Sequence, residues 1–197
     1  MRRQVSDGYS LIELLFVAGV AATTSGIAVP QMLAGLDDSR ALGATRYVSS
    51  RLSRARADAV MRSADVAMQF VPGRDGGYTF AEYVDGNRNG IRAQDIERGV
   101  DRRLGGVERL GDSFKAVDFG TIRDLPAVVA GGTEPGGEPI RLGPSGLATF
   151  TALGTATSGS LYVRSARGAQ YVIRIFGETG KTRILRFNAR TRQWVPL

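Results

Sequence analysis

Gly8-Tyr9-Ser10-Leu11-Ile12-Glu13 is followed by Leu14-Leu15-Phe16-Val17-Ala18-Gly19 and then by apolar and small residues as far as Leu36. Residues 14–36 are 23 positions without a formal charge, and about 20 residues suffice to carry a helix across a bilayer. Glu13 stands just inside the start of this run. A carboxylate in hydrocarbon costs several kcal/mol or protonates, so a charge at such a place usually has a partner. A purely greasy anchor has no use for it.

Three readings fit the segment. A secretory signal peptide has a basic start, a short apolar stretch and a small-residue cleavage site. Arg2 and Arg3 suit that reading, but Glu13, the length of the run and the poor site Ala28-Val29-Pro30 speak against it. A plain signal anchor explains the length, and Arg2 and Arg3 would keep the N-terminus cytoplasmic. It leaves Gly8 and Glu13 without a role. The third reading is a resemblance: Met1 to Gly8, followed by Tyr9-Ser10-Leu11-Ile12-Glu13, resembles the type IV prepilin signature. The resemblance implies a leader, residues 1–8, removed by a prepilin peptidase between Gly8 and Tyr9. It also implies N-methylation of Tyr9, where the family usually has Phe, and a retained Glu13 that acts in assembly. Glu13 then either pairs with a neighbouring subunit's terminal ammonium or is solvated at the headgroup level. Pro30 removes a helical hydrogen bond. It is either a kink of the kind found in pilin helices or a tolerated membrane proline.

Beyond the uncharged run the helical pattern continues. Ala41, Ala44, Val48, Leu52, Ala55 and Ala59 recur at three- and four-residue steps and make one apolar stripe. The stripe is rich in alanine, which offers a flat face to a sheet. From Asp65 the period changes to two. Residues 66–71 and 77–84 are predicted strands, joined through Pro72-Gly73 and Asp75-Gly76 in a hairpin. Weak strands are predicted at 106–110 and 115–119. Regular ones return at 140–142, 147–151, 160–163, 171–176 and 182–187, with glycine turns between them. The expected organisation is α+β, with a long N-terminal membrane-spanning helix packed on an all-antiparallel β domain. Its parts are a leader at 1–8, a transmembrane segment at 9–36, an amphipathic periplasmic helix at 37–63 and the β domain at 64–197.

The C-terminal third carries a second resemblance. Gly143-Pro144-Ser145-Gly146, then Ser158-Gly159-Ser160-Leu161-Tyr162-Val163, then Gly177 to Arg183 are similar to the C-terminal half of GspH/FimT-type pseudopilins. That family closes with a hairpin ending Gly-Arg-x-Arg, and this chain has Gly180-Lys181-Thr182-Arg183. The stretch 88–138 matches little and is the variable region. The resemblance implies a pilin-like fold and a minor pseudopilin or pilin of a type II secretion system or type IV pilus. Such a subunit sits in the inner membrane as a single-pass protein, with its C-terminal domain periplasmic. It enters a periplasmic fibre through its first helix, with other pseudopilins or pilins as partners.

Composition narrows the chemistry. The chain has no cysteine and no histidine, so disulfides, Ser-His-Asp and Cys-His catalysis and nearly all zinc sites fall away. No pair of acidic motifs singles out a carboxylate enzyme. The chain is read as a structural subunit and not an enzyme, with no cofactor and no metal. Asp85, Asn87, Asn89 and Gly90 follow the start of a calcium-loop pattern, but Ile96 stands where the bidentate carboxylate belongs. The stretch is read instead as an Asn-Gly hairpin tip.

Charge divides the domain. Residues 64–140 carry 9 basic and 13 acidic side chains, whereas 141–197 carry 9 basic and 1 acidic. Lys181, Arg183, Arg186, Arg190 and Arg192 cluster near the end, with Phe187 and Trp194 among them. Basic residues interleaved with aromatics are the footprint of a nucleic-acid surface, whereas arginines along a strand also guard edges against aggregation. The alternatives are therefore a secretion subunit that touches cargo and a FimT-like subunit that binds DNA during its uptake.

Overall fold

The computed structural model describes residues 9–197, apart from Asp75, Ala130 and Pro144. Residues 1–8, the expected leader, lie outside the described residues, so of the expected Gly8-Tyr9 junction only Tyr9 is described. The chain divides into two compact units, one ending at Leu36 and one spanning Asp37–Leu197. A single α-helix, α1 (Leu11–Arg62), supplies helical residues to both.

In the first unit every described residue is exposed, including Leu15, Phe16, Ile27 and Met32. This helix is long and apolar enough to cross a membrane by length and composition. Pro30 lies inside it with helical residues on both sides.

The second unit is α+β. Its helical part, 37–62, buries the alanine-rich stripe expected from the spacing: Ala41, Ala44, Val48, Leu52, Ala55 and Ala59 are all fully buried. They share one core with two antiparallel sheets. The strands are β1 (Val66–Pro72), β2 (Tyr78–Val84), β3 (Arg102–Arg109), β4 (Val117–Phe119), β5 (Ile140–Arg141), β6 (Leu147–Phe150), β7 (Gly159–Ser165), β8 (Gln170–Ile175), β9 (Thr182–Asn188) and β10 (Gln193–Pro196). One sheet runs β3-β2-β1-β6, and the other β10-β9-β8-β7-β4 with β5 also beside β7. Two short helices, α2 (Ala93–Glu97) and α3 (Leu110–Ser113), lie in the connections.

Period-two alternation fixes which side chains meet α1. Val66, Met68, Phe70, Phe80 and Val84 from the first sheet join Leu161, Val163, Tyr171, Ile173 and Ile175 from the second. Their outer faces are covered separately. Ala67 and Leu147 pack with Ile91, and Tyr162 and Val172 pack with Leu125. The two covering segments come from the stretch with little periodicity. The four-stranded sheet bends at β3, where the register with β2 shifts between Phe80 and Glu82 and Gly105 adopts φ +88°.

Most expected strands stand within a residue or two of their places. The weak strand expected at 106–110 begins earlier, as β3 at Arg102, and Leu110 opens α3. The β domain is two sheets, because alternation tells a strand's inward face but not its neighbours. The Asp85–Gly90 stretch is no hairpin tip: it opens the long 85–101 connection between β2 and β3, which contains α2. The closing strand β10 follows β9 through the 189–192 turn. Its few residues and Pro196 left no strand pattern to see.

Candidate functional site

Three groups of polar residues stand out against the apolar frame: the start of α1, its junction with the β domain, and the closing hairpin. At the start, Ser10 precedes the first helical residue, and its Oγ accepts a hydrogen bond from the Glu13 backbone N–H at 3.2 Å. Ser-x-x-Glu is the spacing of a capping box, a signal the sequence reading left unused. Glu13 is the acidic residue of the first turn, where the positive end of the helix dipole favours a carboxylate. Tyr9 is 79% exposed beside it. Glu13 therefore has a local reason to be tolerated as well as the capacity to meet an external cation.

The junction is built from two consecutive carboxylates, Asp37 and Asp38. Ser165 on β7 donates to Asp37, which is buried. Tyr171 on β8 donates its phenol to Asp38 at 2.8 Å, and Arg186 on β9 reaches Asp38 at 3.1 Å. Burial, followed by the Asp38 acceptor and its charge, pushes the Tyr171 phenol well above its ordinary range. Three neighbouring strands of one sheet thus grip the first turn of the helix in this unit. The sequence signal was the pair of acids immediately after the uncharged run.

Farther along, Arg51 lies 2.9 Å from Glu108 and 3.5 Å from Glu82, and Tyr47 donates to Glu108. Glu82 faces the helix from β2 and is nearly fully buried, with Oε1 lacking a hydrogen-bond partner among the described residues. Burial raises its pKa, against the pull of Arg51.

The closing hairpin does not place its five basic residues on one face. Arg183 shares a face with Leu185 and Phe187, the side away from α1, and Lys181 precedes β9 with the same parity. Both are exposed, and neither has an ion pair among the described residues. Arg186 has the opposite parity, on the side of Thr182, which meets Ser49 of α1, and it is the partner of Asp38. Arg190 and Arg192 lie in the turn, and the Arg192 guanidinium donates to the Asp124 carbonyl at 2.7 Å. Trp194 packs on Tyr162 and Phe187 and donates to the Pro126 carbonyl at 3.0 Å. It is a core residue of the outer face and not a free stacking platform.

The Asp85–Gly90 loop has its carboxylates already occupied. Asp85 accepts from the backbone N–H groups of Asn87, Arg88 and Gly90. Asp101 accepts from those of Gly86 and Arg92. Asp95 accepts from the Asn89 amide at 3.3 Å. Among the described residues no acidic group of three or more could hold a metal ion. The carboxylates here accept from the loop's own backbone amides, which is what shapes it. No family model matches the chain, and neither does any curated protein or solved structure.

Proposed function

We propose that the chain is a minor pilin or pseudopilin, a subunit of a type II secretion fibre or a type IV pilus. It would be held in the inner membrane and assembled through the first part of α1. One observation carries the reading. The exposed apolar half of a continuous helix begins with a capped carboxylate, and its other half buries one stripe in the core of an α+β unit. The resemblance of residues 1–13 to the prepilin signature supports it. Exposed apolar side chains of this density need a lipid or protein partner. Head-to-tail contacts that do not close would generate a filament. The work of such a subunit is mechanical, with the bilayer and the neighbouring subunits as its partners.

The test is the N-terminus of protein made in cells with the processing peptidase. Mass spectrometry is expected to find a chain that starts at a methylated Tyr9 and an uncleaved chain for Gly8→Ala. Glu13→Val is expected to insert in the membrane yet enter fibres poorly. An intact Met1 on assembled protein would overturn the proposal.

The exposed, unpaired Lys181 and Arg183 favour a second reading, contact with DNA phosphates during uptake. Binding through phosphates releases counterions and shows little sequence preference. Replacing both residues should flatten the slope of log K against log salt on duplex DNA by about two. The absence of binding at low salt would leave the secretion subunit as the better account.

A further inference from the structure

We propose that the outer face of the six-stranded sheet holds a phosphate-binding pocket in which Arg174 is the central donor, flanked by Arg141 and Ser160. The proposal is independent of the filament reading.

Register brings these residues together. Arg141 on β5 stands opposite Ser160 on β7, and Ser160 stands opposite Arg174 on β8. Arg174 in turn stands opposite Arg183 on β9. Like charges directly opposed across antiparallel strands are unfavourable, yet neither arginine of that last pair has a carboxylate partner among the described residues. Beside the row lies a cavity of about 500 Å³ lined by Arg141, Ser160, Tyr162, Arg174 and Glu138. Small-molecule sites span roughly 300–1,000 Å³.

The state of Arg174 points to an absent acceptor. Its Nε is buried and has no hydrogen-bond partner among the described residues, and its guanidinium carbon lies 5.7 Å from the centre of the Phe176 ring. A charged N–H removed from water without an acceptor is costly, and an oxyanion in the cavity would supply one. Arg141 is anchored at the rim of the same cavity, since its Nη1 donates to the carbonyls of Thr133 and Glu134 at 2.9 and 2.8 Å. The charges of Arg141 and Arg174 both act on the Tyr162 phenol, opposing the upward push of burial. Glu138 lines the same cavity but forms no ion pair there among the described residues, so two guanidiniums face one carboxylate. A guanidinium fork matches phosphate in two-point contact. The volume exceeds that of a bare phosphate, so the group can arrive free or on a molecule the size of a nucleoside monophosphate.

Trp194 is the sole tryptophan, and its ring centre lies 6.0 Å from that of Tyr162, which makes it a built-in reporter. The full chain in nonionic detergent would be titrated with sodium phosphate, adenosine monophosphate and adenosine, with sodium chloride at matched ionic strength. Emission and calorimetry would be followed together. Saturable binding of phosphate, absent with chloride, is expected. Arg174→Gln should weaken it at least tenfold and Arg174→Lys less so, with circular dichroism unchanged. Should Arg174→Gln fail to fold, Arg141→Gln carries the same demand. Tighter binding of the monophosphate than of phosphate assigns the pocket to a nucleotide-sized ligand, and equal binding assigns it to the free anion. No saturable signal by either method overturns the proposal. So does unchanged affinity in the folded arginine variant, or adenosine binding as well as its monophosphate.

Discussion

The two halves of α1 are one helix with two kinds of surface. Residues 14–36 carry no formal charge on any side of the helix and are all exposed, while residues 37–62 are mixed in polarity and bury one alanine-rich stripe completely. The second half follows the ordinary rule for a helix on a sheet, with a narrow small-residue face and charged residues elsewhere. The first half follows the rule for a helix whose partner is lipid or other helices. The boundary is chemical and sharp: Asp37 and Asp38 are the first charges after Leu36, and both are bonded to the β domain. A single secondary-structure element can thus change its environment without changing its backbone, and the side chains alone mark where.

The contrast can be broken most directly with paired truncations. Leu52→Ala should cost the domain about 2–5 kcal/mol, as fully buried leucines do, whereas Leu15→Ala should leave its unfolding midpoint in denaturant unchanged. An equal loss from both would mean that the halves are not energetically separate. Enlarging a small residue makes the converse test. Ala44→Leu forces extra volume against the sheets and should cost about 1–3 kcal/mol, while Ala21→Leu should be neutral for the same transition.

A pH series sharpens the comparison, because the second half has buried charge in its packing face. The Glu82 pKa is raised above 4.5 in the folded state, chiefly by burial. The folded protein therefore holds the proton more tightly than the unfolded chain. This stabilising contribution is complete below about pH 4.5 and is lost as pH rises through the folded value. Unfolding of Glu82→Gln, compared with the parent from pH 4 upward, should lack that decline. A parallel pH dependence in both proteins would remove Glu82 as its source. The smallest effect belongs to the junction. The Arg186 side chain is half exposed, so Arg186→Ala should cost no more than about 1 kcal/mol, and added salt should shrink even that.

Much of this architecture was legible because periodicity is a local property. The alanine stripe of α1 and the alternation in β1, β7 and β8 each announce an inward face. What local pattern cannot convey is adjacency: nothing in residues 147–150 says that β6 pairs with β1, eighty positions earlier. The covering segments were opaque for a different reason. Ile91 and Ile96 are single apolar residues among polar ones, Leu125 and Val128 lie in a short apolar run beside Pro126 without strand alternation, and each fills one place on an outer face. The basic residues near the C-terminus were visible as a charge count. Their division between two faces of β9 depends on where that strand begins, and Arg174 entered the group only through its register with Arg183.

The strand order also leaves two sheets with free margins, which is a hazard because an exposed strand edge can template pairing with another chain. β3 carries Arg102, Arg103 and Arg109 and is interrupted by its bulge. β10 ends in Pro196, which has no N–H to offer, and β6 is only four residues long. Charge, a bulge, proline and brevity are the usual means of denying an incoming strand a template. β4, at the remaining margin, is only three residues long, so none of the four margins gives an incoming strand a long regular template for amyloid-like stacking.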